Sequence, residues 1–167
     1  KLKYFIGGSM SWCIKWVSTN ILLSAFIQFS ILGTLGELLG IVAAKRKPSN
    51  KAIEWLLKAI VWGFLGILVK YSFTGFKGFL NALIEIGFWP KFLAENGLLK
   101  ALCLSLLTNS MFGPLLMVLH RTTDNLISRA RGYAGIEKSL ATLAWFWVPA
   151  HTVTFALPYE LQIGLAA

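Results

Sequence analysis

The stretch NILLSAFIQFSILGTLGELLGIVAA, from Asn20 to Ala44, decides the fold of this chain. It contains a single charged side chain, Glu37, and the basic cluster Lys45-Arg46-Lys47 follows it directly. A helix needs about 20 mostly apolar residues to cross a hydrocarbon layer roughly 30 Å thick, and basic residues stop such a helix at the headgroups. The stretch therefore predicts a transmembrane helix with a carboxylate inside it.

Glu37 lies well inside this span. An ionisable group at membrane depth costs a few kcal/mol on insertion scales, about 3 kcal/mol at the helix centre, so it usually faces a partner, a cavity or a transported ligand. Two interpretations stay open. Glu37 is either a hydrogen-bonded packing residue or a ligand or proton site.

The composition extends the membrane assignment to the whole chain. The 167 residues are 56% hydrophobic and only 14% charged, whereas about a quarter of the residues of a soluble domain are charged. Three more apolar blocks follow the first, at about 52–72, 98–120 and 139–158. We expect an all-α, polytopic membrane helical bundle of about four transmembrane helices, in a single domain spanning 1–167.

The net charge of +9 does not indicate nucleic acid, because the basic residues are spread over the span ends and form no stripe with interleaved aromatics. The expected partners are the lipid bilayer and anionic lipid headgroups. The first and third loops carry basic clusters and share a side in a four-span chain, so the positive-inside rule makes that side cytoplasmic. A cell (inner) membrane is the first expectation for its location, and an organelle membrane is the alternative.

Two connections have recognisable patterns. Pro48-Ser49-Asn50 predicts a tight turn, which would make the first two spans an antiparallel hairpin. Residues 74–96 contain Gly75, Gly78 and Gly87, and their apolar residues form one side against polar ones. This pattern predicts an interfacial amphipathic helix lying along the membrane surface.

Small residues predict where helices pack. Gly33, Gly36 and Gly40 fall on one face of the first span, and Gly36-x-x-x-Gly40 is a spacing that permits close backbone contact between membrane helices. Gly113 is a second predicted site of close helix packing, in the third span. Pro114 follows it and predicts a kink, because proline removes a backbone N–H and frees the carbonyl four residues earlier.

Polar residues form a stripe in each of the last two spans. Ser105, Asn109 and Gly113 recur every four residues, and His151 and Thr154 share a face beyond a second predicted kink at Pro149. Such a stripe can line a water-filled path or be a packing seam. The candidate pore- or ligand-lining residues are Glu37, Ser105, Asn109, His151 and Thr154, and Glu37, Asn109 and His151 could meet in the bundle core.

Catalytic and metal chemistry has less support. His120 and Asp124 are spaced to let a carboxylate orient an imidazole, but no matching nucleophile or phosphate loop accompanies them, so an enzyme is the less favoured class. The two cysteines, Cys13 and Cys103, form no CxxC motif, and the two histidines have no HxxxH spacing. We expect no metal and no cofactor.

One motif resembles a known family. Gly113-Pro114 followed by Asp124 resembles the GP…LD signature of the Mpv17/PMP22 family of four-span organelle membrane proteins, and Gly36-Glu37 looks like the Gly-Asp of that family's first helix. Other positions depart from the family. Its Asp-Gln pair is replaced by Leu143-Ala144, and no arginine follows the closing segment. The resemblance implies a small non-selective channel or a membrane-maintenance protein.

Two functions from different classes follow. The leading hypothesis is a channel- or transporter-like protein for a small solute or ion. The alternative is a structural or accessory subunit of a larger membrane complex or homo-oligomer, in which the polar residues only join helices.

Overall fold

The computed structural model describes Trp12 and residues 14–167, and its regular elements are all helices. Cys13 therefore lies outside the described residues. After a helical stretch at 14–19, the elements are α1 (Ile21–Ala43), α2 (Ala52–Glu85), the short α3 (Phe92–Glu95), α4 (Gly97–Ser128), α5 (136–156) and α6 (Tyr159–Ala166). The predicted all-helical class is confirmed for this part of the chain.

Three of these helices, α1, α2 and α4, are long and apolar enough to cross a membrane. They have 23, 34 and 32 residues, and at about 1.5 Å per residue each exceeds the thickness of a hydrocarbon layer. The helix α5 is not among them. The structure thus supports a membrane-spanning helical bundle with three such helices.

The helices α1 and α2 form the antiparallel hairpin that Pro48 predicted. Trp62 of α2 contacts Gly33 of α1, and Gly63 and Gly66 of α2 lie against Ser30 and the backbone of Ala25, so rising numbers on α2 meet falling numbers on α1. A Cβ atom at either glycine of α2 would come within 2.5 Å of the α1 side chains. The close approach therefore depends on glycines of α2, in the way that small residues allow membrane helices to pack.

The glycines predicted for packing divide into two groups. Gly33 lies against the ring of Trp62, and Gly113 lies against Leu143, so helices pack closely at these two positions. At Gly36 and Gly40 an added Cβ would meet no atom within 4 Å, so no described helix of the chain packs on them. Small and large residues alternate along the contact, because Gly33 of α1 faces Trp62 of α2, whereas Gly63 and Gly66 of α2 face Phe26 and Phe29 of α1.

The predicted interfacial helix at 74–96 is also wrong over most of its length. Residues 74–85 continue α2 without a break, and Leu80 and Ile84 are buried among residues of α3 and α4. Glycine costs about 1 kcal/mol in a helix interior, whereas burying one large apolar side chain contributes about 1.5–3 kcal/mol. Burial therefore outweighs the effect of Gly75 and Gly78.

A π-helical turn precedes each of the two prolines that predicted a kink. Thr108–Phe112 in α4 and Leu143–Trp147 in α5 have this geometry, and in each case the proline, Pro114 or Pro149, follows two residues after the turn ends. The amide of Gly113 bonds to the carbonyl of Thr108 instead of the carbonyl four residues back. Each wider turn adjusts the helix where proline cannot donate a hydrogen bond.

The helices α4 and α5 make a second antiparallel hairpin, and α6 folds back against the first. The hydroxyl of Ser105 donates to the carbonyl of Val148 at 2.7 Å, and Gly113 meets Leu143 further along. In α6, Gln162 accepts a hydrogen bond from Lys77 of α2, and Gly164 lies close to Gln28 of α1. Two helical hairpins and a returning helix therefore enclose the centre of the molecule.

Candidate functional site

A cavity of about 370 Å³ lies at the centre of the bundle, between α1, α2, α4 and α5. Most of its wall is apolar and aromatic, including Phe29, Val69, Phe73, Phe112, Leu143 and Trp147. Its polar or ionisable wall residues are Glu37, Thr108, Asn109, His120 and His151. A mostly apolar cavity with a few polar groups is the usual form of a small-molecule site.

The three residues expected to meet in the bundle core, Glu37, Asn109 and His151, all line this cavity. The other two candidate lining residues do not. Ser105 and Thr154 are almost completely buried, and their hydroxyls donate to backbone carbonyls of Val148 and Ala150. Ser105 and Thr154 are therefore packing residues, because a hydroxyl on a helix in an apolar setting bonds to the nearest free carbonyl.

Glu37 is not alone at its end of the cavity. One carboxylate oxygen pairs with the ammonium group of Lys58, and the other accepts a hydrogen bond from Trp62 Nε1 at 3.0 Å. Lys58 also pairs with Asp124, so one cation joins two carboxylates from α1 and α4. This Glu37–Lys58–Asp124 group, which we call the ion cluster, carries a formal charge of −1.

Sequence reasoning missed Lys58 and Asp124 as partners of Glu37. A signal was present, because Glu37 lies eleven residues before Pro48 and Lys58 lies ten residues after it. Residues equally far from the turn of an antiparallel hairpin lie opposite each other. Asp124 offered no comparable signal, because no short turn connects α4 to α1 or α2, the helices that carry Glu37 and Lys58.

His120 and Asp124, whose spacing resembles a catalytic pair, do not contact each other through a hydrogen bond. Asp124 pairs with Lys58, and no hydrogen bond between Asp124 and His120 is present in the described structure. The His120 ring stacks on Trp62 instead, with 4.3 Å between the ring centroids. Within the described residues, no three His, Cys, Asp or Glu side chains come together in a way that could hold a metal ion.

Asn109 and His151 form a second polar group, deeper in the bundle. Asn109 Nδ2 lies 2.8 Å from the carbonyl of Ser105 and 3.1 Å from His151 Nδ1. With the amide as donor, Nδ1 of the neutral imidazole is the acceptor and Nε2 carries the proton. The ring lies among the aromatic side chains of Phe73, Trp147 and Phe155.

Thr108 provides an unsatisfied group in the same wall. Its side chain is 2% exposed, and its hydroxyl has no hydrogen-bond partner in the described structure. Thr108 and Asn109 are neighbours on the π-helical turn of α4, and both line the cavity. A buried hydroxyl without a partner costs about 1–3 kcal/mol, which a bound polar molecule would recover.

Gly36 marks the rim of the cavity. Alone among the lining residues it is exposed, and an added side chain there would meet no atom within 4 Å. The cavity therefore reaches the outer surface of the bundle beside Gly36, on the wall formed by α1. Comparison with known protein families, curated proteins and solved structures finds no match to this chain.

Proposed function

We propose that this protein is a channel- or transporter-like membrane protein that admits a small solute or ion to the central cavity. The observation that carries the proposal is the cavity wall itself. Glu37 of α1 and Asn109 of α4, two helices long and apolar enough to cross a membrane, meet His151 of α5 at one space of about 370 Å³. Burying polar groups around a cavity in a membrane costs free energy, and contact with a passing solute is a function that offsets this cost.

The proposal includes a fourth membrane span formed by α5. This helix runs antiparallel to α4 and supplies Leu143, Trp147 and His151 to the cavity wall. Its 136–156 range would reach about 30 Å as a helix, which is the thickness of the hydrocarbon layer. The resemblance of Gly113-Pro114 and Asp124 to the Mpv17/PMP22 signature supports the same four-span channel class.

The charge of the cavity wall favours neutral or cationic solutes over anions. Among the described residues that line it, Glu37 has the only carboxylate side chain, and none is a lysine or arginine. The nearest cation, Lys58, is already paired with two carboxylates. An anion in this space would therefore meet a formal negative charge with no free cation to balance it.

The rim residue Gly36 allows a direct test. In Gly36→Phe the ring would occupy the cavity opening, while the ion cluster and the Asn109–His151 pair keep their contacts. Gly40→Phe is the matched control, because Gly40 is equally exposed, lies one turn further along α1 and does not line the cavity. Both substitutions add the same side chain to the same helix.

The measurement is uptake of isotope-labelled glycerol, tetramethylammonium and gluconate into proteoliposomes held at zero membrane potential with potassium and valinomycin, so that the flux of each ion does not depend on its counter-ion. We expect the unsubstituted protein to pass glycerol or tetramethylammonium but not gluconate, Gly36→Phe to fall to the rate of empty liposomes, and Gly40→Phe to keep full flux. Equal flux in Gly36→Phe and the unsubstituted protein would contradict a path through this opening. If the protein passed none of the three solutes, the proposed transport of small neutral or cationic solutes would be contradicted.

A structural or accessory subunit is the second candidate. The observation in its favour is the outer face of α5, where Trp145 and Phe146 are 69% and 48% exposed although α5 is less apolar than the three candidate spans. Such a helix could be covered by a partner. Purification in mild detergent distinguishes the two classes, because an accessory subunit co-migrates with a larger complex and loses that complex in Trp145→Ala/Phe146→Ala.

A further inference from the structure

A second space lies near the end of the bundle where α2 and α4 are joined, away from the ion cluster. It is a surface groove of about 520 Å³ between α2, the start of α4 and the end of α5. Lys77, Asn81 and Lys100 contribute its polar groups, and Ala101, Leu104 and Phe155 form an apolar floor. We refer to it as the lysine groove.

The lysine groove has a positive charge that no described ion pair neutralises, although Glu160 attracts Lys77 from beyond ion-pair distance. Neither Lys77 nor Lys100 is within ion-pair distance of a described carboxylate, and no Asp or Glu lines the groove. Both lysines are half-buried, so solvent screens them only in part. Two partly desolvated ammonium groups facing one groove favour an anion between them.

The position of Lys77 is fixed by its neighbours. Its Nζ donates to Gln162 Oε1 at 2.6 Å and lies 4.8 Å from the centre of the Tyr159 ring. An ammonium group has three N–H donors, and the contact with Gln162 uses one of them. The other two are available to a ligand, and the contacts with α6 hold the ammonium group in place before the ligand arrives.

The apolar surface of the groove indicates what else the ligand carries. Ala101, Leu104 and Phe155 are buried at the base of the groove, and Leu98, which is 65% exposed, presents apolar surface at its edge. A free inorganic anion would leave this apolar surface uncovered. An amphiphile would place its anionic group on the lysines and its hydrocarbon chain along this edge.

We propose that the lysine groove binds one anionic phospholipid, with the headgroup phosphate held by Lys77 and Lys100 and an acyl chain lying against Leu98. The neighbouring connection supports a position at the membrane surface, since it exposes Ile86, Phe88 and Phe92. The site is separate from the central cavity. Its existence does not depend on whether the cavity conducts a solute.

The test is native mass spectrometry of the detergent-purified protein after exchange into mixed phosphatidylcholine and phosphatidylglycerol. We expect one phosphatidylglycerol to be retained in preference to phosphatidylcholine. Each lysine beside an anionic headgroup should contribute about fivefold in affinity, so Lys77→Gln/Lys100→Gln should bind about 25-fold more weakly. Lys77→Arg/Lys100→Arg should keep the lipid and shows that the positions tolerate substitution.

The matched control is Lys45→Gln/Lys47→Gln, which removes the same charge from an exposed loop at the other end of the bundle. Equal lipid loss in the control and in Lys77→Gln/Lys100→Gln would overturn the proposal, because it would show general surface attraction. Unchanged retention in Lys77→Gln/Lys100→Gln would overturn it as well. Excess inorganic phosphate should not displace the lipid. If phosphate displaced the lipid at the concentration at which phosphate alone binds the groove, the ligand would be free phosphate and not a phospholipid.

Discussion

At the scale of single residues, the buried Lys58 holds the ion cluster together. Only 8% of its surface is exposed, and it lies between carboxylates of α1 and α4 that form no ion pair with any other described residue. A buried ion pair gives little net stability, because removing both ions from water costs about as much as their attraction returns. Breaking the pair is a different matter, since it leaves buried charges without a partner.

We predict that Lys58→Met destabilises the protein by about 3–5 kcal/mol, because it strands Glu37 and Asp124. Lys51→Met is the control, since Lys51 is exposed and its ion pair with Glu54 lies at the helix start. The measurement is denaturant unfolding in detergent. The triple variant Glu37→Gln/Lys58→Met/Asp124→Asn should regain most of the lost stability, and a triple variant as unstable as Lys58→Met would contradict the assignment.

Thr108 separates a functional role from a structural one. We predict that Thr108→Val leaves the unfolding temperature unchanged or raises it, because the substitution removes a buried hydroxyl that has no partner. Solute flux through proteoliposomes should fall, since the cavity loses a polar contact. Thr154→Val is the comparison, because it removes a hydroxyl bonded to Ala150 outside the cavity and should cost about 1 kcal/mol without changing flux.

At the scale of helices, α4 and α5 use the same device. In each, a five-residue π-helical turn precedes a proline by the same spacing, and each turn contributes residues to the cavity wall. In a regular α-helix, neighbouring side chains point about 100° apart. The wider turn brings both Thr108 and Asn109 to the cavity, so the two prolines shape the site without contributing a functional group.

The packing of α1 on α2 predicts that alanine lowers the stability of the protein at one glycine of α2 and raises it at another. Gly66→Ala should destabilise the protein by about 1–3 kcal/mol, because the added Cβ would lie 2.5 Å from Phe29 and 2.7 Å from the Ala25 carbonyl. Gly75→Ala should stabilise it by up to about 1 kcal/mol, since that position is open and alanine favours the helix. Thermal unfolding in detergent measures both, and equal shifts at the two sites would contradict this packing.

At the scale of the whole molecule, the structure has two unlike ends. One end carries the loops 44–51 and 129–135, with the ion cluster less than three helical turns below them. The other carries the connection 86–96, with the lysine groove beneath it. The central cavity lies between them, so anionic and cationic groups act at separate depths.

This arrangement predicts which segments share a side of the membrane. In a variant lacking Cys13 and Cys103, single cysteines at Arg46 and Arg131 should react with a charged thiol reagent from one side, and cysteines at Glu95 and Glu160 from the other. A cysteine at the mid-span position Leu68 is the unreactive control. Labelling of the Glu160 position from the Arg131 side would show that α5 does not cross the membrane and would contradict the four-span proposal.

The sequence by itself determined the class of the protein and the place of its main helices. The apolar run around Glu37, the turn at Pro48 and the prolines at 114 and 149 act through neighbours in the chain, so their consequences can be predicted locally. The sequence also indicated that Glu37, Asn109 and His151 could meet, because each is a polar residue on a helix with little else to bond to.

The tertiary structure decided which polar residues reach the cavity and which only pack. Ser105 and Thr154 share their helical stripes with Asn109 and His151, but Ser105 donates across the hairpin to Val148 of α5 and Thr154 donates to Ala150 in its own helix. The pairing of Lys58 with Asp124 joins residues 66 positions apart, and the lysine groove forms where three separate helices meet. Contacts of this kind depend on how helices pack across the bundle, and helical periodicity within one segment carries no information about them.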